Sequence, residues 1–448
     1  MKAVVVSHTM KVISPPLHRG MVELERSAFK KLVPILAIKV PSKNVGVVMK
    51  SFSTDLFNLP RYRNVLAAPD SKDSKIVLLR SDLNKIEDLG QEKIDLIKKE
   101  NLSIIQHKVQ LDYDYWTAEQ ILHAVMPEDF TDVPASFTQV GHIVRVAHMN
   151  LREHYYPWKH LIGQVILDKN KNITTVVNKT SNIDATFRFF KMELLAGEDN
   201  MIAEVRESNC RFKFDFSKVY WNSRLHTEHD RLIQQFKPND YVCDVFAGVG
   251  PFALPAAKRG AIVYANDLNP TSSYWMKENI KLNKITQNIE PYNMDGRAFI
   301  QQAVKDLQAT SNEWKTFQHF VMNLPATAIE FLDSFRGLYA DQKHLFKEGQ
   351  SQLPIIHCHC FTKSSDPKQD ISERIGQVMG ASPDLTKSHL HWVRNVAPKK
   401  DMYCISFPLS PEVAFERWQS SLFQYEKNGL WHLEYKQDQS YHPRVGGI

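Results

Sequence analysis

The chain has 448 residues, 43% of them hydrophobic, which is enough for two or three ordinary folded cores and excludes a tail or a linker. Its 56 Lys and Arg against 50 Asp and Glu leave a net charge of +6, a mild basic excess compatible with an RNA partner but no proof of one. Five cysteines, an odd number, exclude a disulfide framework and point to a reducing compartment, and no apolar run approaches the roughly 18 residues of a membrane span.

The first 22 residues hold Lys2, Lys11 and Arg19 with no acid, and read either as a mitochondrial transit segment or as a disordered tail. From 25 to about 128, strand-like runs (Val33 to Val40, Lys75 to Leu83, Leu102 to Asp114) are joined by a charged helix from Lys85 to Glu100 and a helix from Thr117 to Val125, a small α/β domain. Pro127 to Pro134 carries two prolines and no periodicity, the chemistry of a linker. A second unit, about 135 to 222, predicts a strand at His142 to Ala147 and a helix after Tyr156-Pro157. Further strands follow around Thr174 to Val177, Arg188 to Leu195 and Ile202 to Phe216. The last alternates apolar and polar, as antiparallel strands with one buried face do. Thr227-Glu-His-Asp230 has the spacing of a helix capping box.

From Asp240 onward strands alternate with helices up to Phe407, which predicts a doubly wound, mostly parallel α/β sheet of Rossmann-like type. Its first strand, Tyr241 to Phe246, runs into a turn at Gly248 and Gly250, with Pro251 placed for a first helical residue. The next strand ends at Asp267, about twenty residues on, where an acid meets a ribose in such sheets. Two glycines are less than the full dinucleotide fingerprint, because Ala253 takes the third position. A ribose-bearing ligand without a pyrophosphate fits better, and S-adenosyl-L-methionine is such a ligand. Phe246, Asp267, Asp295 and Asn323 all fall at predicted strand ends, where ligands bind.

Asn323-Leu-Pro-Ala326 is close to the Asn-Pro-Pro-aromatic pattern of methyltransferases acting on base nitrogens. An Asn amide can hold a base edge while proline stiffens the loop, and Ala326 in place of the aromatic argues against an adenine amino group. A plain strand-end turn is the simpler reading of the same residues. His357-Cys-His-Cys360 invites a metal, yet in a strand these side chains alternate between faces, so we read it as structural and expect no metal site.

Taken together, Asp215-x-x-Lys218-Val-Tyr-x-Asn222-x-Arg-Leu-x-Thr-Glu228, then Asp-Val-Phe-Ala-Gly-Val-Gly-Pro-Phe, then Asn-Leu-Pro, are similar in order and spacing to the archaeal and eukaryotic tRNA (guanine(37)-N1)-methyltransferases. Arg19-Gly20-Met-x-Glu-Leu-x-Arg26 resembles the N-terminal domain of the eukaryotic members. The resemblance implies three domains: residues 1–133 recognising the tRNA elbow, 134–222 contributing to the active site, and 223–448 holding S-adenosylmethionine. It implies methylation of the guanosine 3′ of the anticodon, in support of reading-frame maintenance, by a monomer with tRNA and no membrane as partner. The expected location is the cytoplasm, with the mitochondrial matrix and nucleus also open.

Guanine N1 carries a proton at neutral pH, so methyl transfer needs a base at N1 and a donor for the charge that builds on O6. By resemblance Glu228 and Arg188 take these roles, Asn323 orients the base, and Tyr220, Arg224 and Pro325 shape the pocket. The cofactor residues carried over are His229, where archaeal members have Arg, with Asp267, Leu268, Asp295, Gly296 and Asn323, beside the loop of Phe246, Gly248 and Gly250. Glu228 at a helix start would be stabilised as a carboxylate, which works against basicity. Rival readings are the wybutosine-pathway aminocarboxypropyltransferase, a nucleotide-binding RNA module without catalysis, and a dehydrogenase.

Overall fold

The computed structural model describes residues 13–141, 143–146, 153–179, 191–310, 314–346 and 352–416. Two compact units emerge, one of residues 1–240 with 246–295, the other of 241–245 with 296–448.

The first unit opens on an antiparallel sheet in the order β2-β3-β1-β4, built from β1 (Lys31–Pro41), β2 (Val65–Ala68), β3 (Ser71–Leu78) and β4 (Ser103–Leu111). β1 is buried on both faces: Val33, Ile35 and Ala37 enter one core, Leu36, Ile38 and Val40 another, as the two-residue period dictates. The second core is closed by α1 (Val45–Ser51) through Val48 and by α2 (Gln91–Lys99) through Ile97. The helix expected from Lys85 to Glu100 is instead one 3-10 turn, Ile86–Asp88, and then α2, because Gly90 interrupts it in an extended conformation. α3 (Ala118–Val125) begins where expected, with Thr117 and Gln120 forming a reciprocal cap. β2 and α1 are short and carry no clear periodicity in the sequence.

Residues 13–22 are not a loose tail. His18 and Gly20 donate backbone hydrogen bonds to the carbonyls of Ala124 (2.8 Å) and Val125 (3.0 Å), and the Arg19 guanidinium bonds the carbonyls of His123 and Met126. These satisfy acceptors that the end of α3 leaves open. Arg26 grips Asp168 with two bonds of 2.8 and 2.9 Å, and Tyr113 donates to the same carboxylate at 2.9 Å. Burial alone would raise the Asp168 acid; the bonds from Arg26, Gln164 and Tyr113 outweigh it and hold it low. Residues 1–12 lie outside the described residues.

Pro127 to Pro134 forms neither helix nor strand, as its composition predicts, but it is packed rather than free. Phe130 meets Tyr155 and Trp158 edge-on, and Val133 is buried. The following sheet has the order β5-β6-β7-β8, with β5 (Phe137–Val140), β6 (Ile143–Val146), β7 (Thr175–Lys179) and β8 (Met192–Gly197), and β6 and β7 run parallel. α4 (Lys159–Lys169) joins them, and its Leu161, Ile162, Val165 and Ile166 share one hydrophobic cluster with Ile121, Leu122 and Val125 of α3.

The single strand expected from Ile202 to Phe216 is a hairpin, β9 (Ile202–Glu207) and β10 (Cys210–Asp215). Ser208 and Asn209 both take positive φ, 48° and 59°, the signature of a two-residue turn whose twist matches the flanking strands. α5 (His226–Ile233) starts earlier than the proposed Thr227 cap. Its cap position is Leu225, with no side-chain bond, and Asn222 instead caps the preceding turn, accepting from the Arg224 amide at 3.2 Å.

The C-terminal strands run in the order β13-β12 in the first unit and β11-β14-β15-β17-β16 in the second. Within the first unit β12 (Ile262–Asn266) and β13 (Ile289–Tyr292) are parallel, with α6 (Ala253–Lys258) and α7 (Pro270–Leu282). Pro251 lies two residues ahead of α6 rather than at its first residue. Within the second unit β11 (Tyr241–Asp244), β14 (His319–Met322) and β15 (Ile355–Thr362) are parallel. Around them lie α8 (Gly296–Ala309), α9 (Pro367–Met379) and α10 (Pro411–Phe415). β16 (His389–Ala397) and β17 (Lys400–Pro408) close that edge as an antiparallel hairpin. The sheet is thus mixed α/β, mostly parallel, as expected. His357, Cys358, His359 and Cys360 are all buried in β15. His357 bonds His319 (3.0 Å) and Ser406 (2.7 Å), while burial pushes the Cys358 thiol well up and that of Cys360 up to about 12.

Candidate active site

Asp267, the first residue after β12, organises the glycine turn. Its Oδ2 accepts from the Gly248 amide and its Oδ1 from the Asn269 amide, both at 2.9 Å. Ala247 donates to the carbonyl of Asn266 at 2.7 Å, and Gly250 closes the turn on Ala247 at 2.8 Å. Gly248 and Gly250 take φ of +56° and +96°, where L side chains are strained. A Cβ on Gly250 would strike Leu254 at 2.1 Å, whereas one on Gly248 would meet nothing within 4 Å. Gly250 therefore serves packing, and Gly248 borders open space of the kind a ligand can enter. Burial pushes the Asp267 acid up to about 6, against the pull of the two amide bonds and Ser272.

Asparagines fix the neighbouring backbone. Asn293 Nδ2 donates to the carbonyls of Asp267 (2.7 Å) and Leu268 (3.1 Å), while Asn266 and Met294 exchange two bonds of 2.9 Å. Leu268 stands exposed beside this seam. Asp295 is exposed, immediately before α8, which Gly296 opens from a buried position. The buried Asn269 caps α7 with its oxygen and donates from Nδ2 to the Lys218 carbonyl at 2.8 Å. That bond anchors the segment carrying Tyr220, whose ring is exposed and whose hydroxyl accepts from Asn222 at 3.3 Å. Arg224 is exposed nearby in sequence.

Glu228 sits in the first turn of α5 with its side chain 2% exposed. Arg231 holds both oxygens, Nε to Oε2 at 2.7 Å and an NH2 to Oε1 at 2.8 Å. His229 follows, buried, with its ring nitrogen on Glu207 and its face edge-on to Phe252 at 4.7 Å between centroids. Phe252 lies two residues past Gly250, so α5 packs against the exit of the glycine turn. Phe246, on the entry side, is half-buried. Arg188 lies outside the described residues.

In the second unit Asn323 follows β14 directly. Its buried Oδ1 has no partner among the described residues, an orphan that a ligand donor would satisfy. The turn behind it is rigid: Thr327 and Ala328 donate to the Leu324 carbonyl at 2.9 and 2.7 Å, and Phe361 donates to that of Pro325 at 3.1 Å. Sequence reasoning missed Arg231, Asn269, Asn293 and Glu207. Two of them carried a local signal, since Arg231 stands three residues after Glu228 on one helix face and Asn269 precedes a proline as helix caps do.

A mostly parallel sheet with a glycine turn, an acid after the second strand and open space at Gly248 defines a Rossmann-like methyltransferase domain. A family model described as the TRM5/TYW2 methyltransferase domain matches residues 203–352, and one described as the TYW2 N-terminal domain matches 118–200. The tRNA (guanine(37)-N(1))-methyltransferase of Schizosaccharomyces pombe is 45% identical over 442 residues, covering 92% of this chain and 98% of its own. That of Batrachochytrium dendrobatidis is 44% identical (90% and 92%), and that of Homo sapiens 44% (91% and 80%). Two solved structures share the fold. One is a complex of aTrm5 with tRNALeu (TM-score 0.57, 22% identity, covering 84% of this chain and 100% of that one). The other is Trm5b from Pyrococcus abyssi (TM-score 0.53, 24% identity, 84% and 99%). The chain is a methyltransferase and belongs to the tRNA (guanine(37)-N(1))-methyltransferase family.

Proposed function

We propose that the chain methylates N1 of guanosine 37 in tRNA with S-adenosylmethionine as donor and Glu228 as general base. The observation that carries this reading is the buried Glu228 carboxylate on a helix whose next residue packs on Phe252, at the exit of the glycine turn. Gly248, Asp267, Leu268 and Asp295 would hold the donor. The opening at Gly248 and the Asp267 carboxylate, set to accept ribose hydroxyls, fit its adenosine part. Bound S-adenosylmethionine supplies an electrophilic methyl group.

The protein supplies the rest. Glu228 takes the N1 proton, and Arg231, bonded to both carboxylate oxygens, orients them. Asn323 offers to a base N–H an amide oxygen that has no partner among the described residues, on a loop that its own backbone bonds keep stiff. Arg188 steadies the charge on O6, and Tyr220, Arg224 and Pro325 border the base. The same reading takes the chain as a monomer, in the cytoplasm with the mitochondrial matrix and nucleus as further locations.

The test is incubation of purified protein with methyl-labelled S-adenosylmethionine and an unmodified tRNA transcript, followed by nucleoside mapping. The expected product is 1-methylguanosine at position 37. A guanosine carrying an aminocarboxypropyl group would replace this reading with the wybutosine-pathway one, and binding without product would leave a non-catalytic RNA module.

A further inference from the structure

We infer that Glu207 is a positioning residue for the reaction, acting through His229 to set the place of Glu228, and that His229 does not serve the cofactor. The inference rests on the reading of Glu228 as the base.

The Glu207 and His229 side chains are 9% and 4% exposed and meet through Oε1 and Nδ1. A carboxylate only accepts, so the proton of this bond sits on Nδ1, which fixes the ring's tautomer and orientation. The ring is also held edge-on by Phe252. The next residue of α5 is tied to the same place, because Ser208 Oγ donates to Asp230 Oδ1. Two consecutive side chains after Glu228 therefore clip α5 to the end of β9 and its turn.

That turn is a firm anchor. Ser208 and Asn209 hold positive φ, and Lys258 at the end of α6 donates to the Asn209 carbonyl at 2.7 Å. The start of α5 has no side-chain cap of its own, so these clips contribute to the rotation and height of the helix. A base displaced by about 1 Å can cost on the order of a hundred-fold in rate.

The experiment uses full-length Glu207→Ala, Glu207→Asp, Glu207→Gln and His229→Phe beside wild type and Glu228→Gln. Single-turnover methyl transfer to unmodified tRNA is measured with both substrates saturating, together with the Kd of S-adenosylhomocysteine and thermal unfolding. Glu207→Ala and His229→Phe should slow transfer at least ten-fold while the Kd stays within three-fold. Glu207→Gln, which still accepts from Nδ1, should recover to within three-fold of wild type. Should Glu207→Ala fail to fold, Glu207→Asp, one methylene shorter with the charge kept, decides by the same ten-fold criterion.

A wild-type transfer rate in folded Glu207→Ala, or in Glu207→Asp where the alanine variant does not fold, would overturn the inference, as would a His229→Phe protein that loses ten-fold in cofactor affinity but keeps its rate. An inactive wild type, or an active Glu228→Gln, sinks the functional reading itself and is told apart by those two controls.

Discussion

Asp267 and Glu228 are two shielded carboxylates of the same unit that are held in opposite ways. Asp267 is gripped by backbone amides of Gly248 and Asn269, which cannot leave without unfolding the turn. Its position is fixed, while burial lifts its acid to about 6 and makes its charge adjustable. The Glu228 carboxylate is held on both oxygens by a side chain, that of Arg231, three residues on and partly exposed. A guanidinium can swing aside where a backbone amide cannot. The first arrangement suits an acid that binds, the second an acid that must change partner during a reaction.

The sharpest way to break this contrast is Glu228→Gln, expected to slow methyl transfer by about 10²–10⁴-fold, the usual worth of a general base. The affinities for S-adenosylhomocysteine and tRNA should hold. Rates near wild type in single turnover would show that the base lies elsewhere.

The two glycines of the turn have different surroundings, Gly250 packed against Leu254 and Gly248 facing open space. Gly250→Ala should lower the melting temperature most, by about 2–3 kcal/mol of stability, because left-handed strain adds to overpacking against Leu254. Gly248→Ala should cost about 1–2 kcal/mol in strain alone but weaken S-adenosylhomocysteine roughly ten-fold, since its methyl would occupy the open space. Equal effects of both on stability and binding would mean that the open space at Gly248 takes no ligand.

For Asp267 the sign follows from the raised acid. Its carboxylate is the form that accepts ribose hydroxyls, so cofactor affinity should fall as pH drops through about 6. The ligand-free protein should behave oppositely, losing some stability as pH rises from about 4 to about 6, the window in which the folded chain keeps a proton that the unfolded chain releases. Calorimetric titration between pH 5 and 8 reads the first, and Asp267→Asn should weaken binding and flatten the profile. A flat wild-type profile would remove Asp267 from the ribose.

The smallest effect is expected of Arg231→Lys. It keeps the charge and loses the two-pronged geometry, for about 1 kcal/mol of stability and a change in rate of less than a few-fold. A large loss of rate would mean that Arg231 holds the carboxylate in place rather than merely sheltering it.

Local chemistry made much of this readable. The strands from β11 to β17 and the helices between them follow hydrophobic runs bounded by Gly, Pro and Asn, and Asp267 and Asn323 sit one residue past their strands, as the pattern predicts. Elements failed where a single residue overruled a longer pattern. Gly90 broke a charged helix, and Ser208-Asn209 folded one alternating run into a hairpin that lacks the usual glycine. Caps misled for the same reason, since Thr227-x-x-Asp230 has the right spacing, yet Asp230 is claimed by Ser208 across the fold.

Sequence alone determined the sheet class and the glycine turn, and put forward Asp267 and Glu228 as candidates, because each depends on residues within one strand, turn or helix. It also carried the family, through the order of three motifs. The partners of those residues were decided by tertiary structure: Glu207 for His229, Asn269 for Lys218, Asp168 for Arg26. Each joins groups at least 22 positions apart, and no local periodicity records which distant side chain will fill a buried polar group's need for a hydrogen bond.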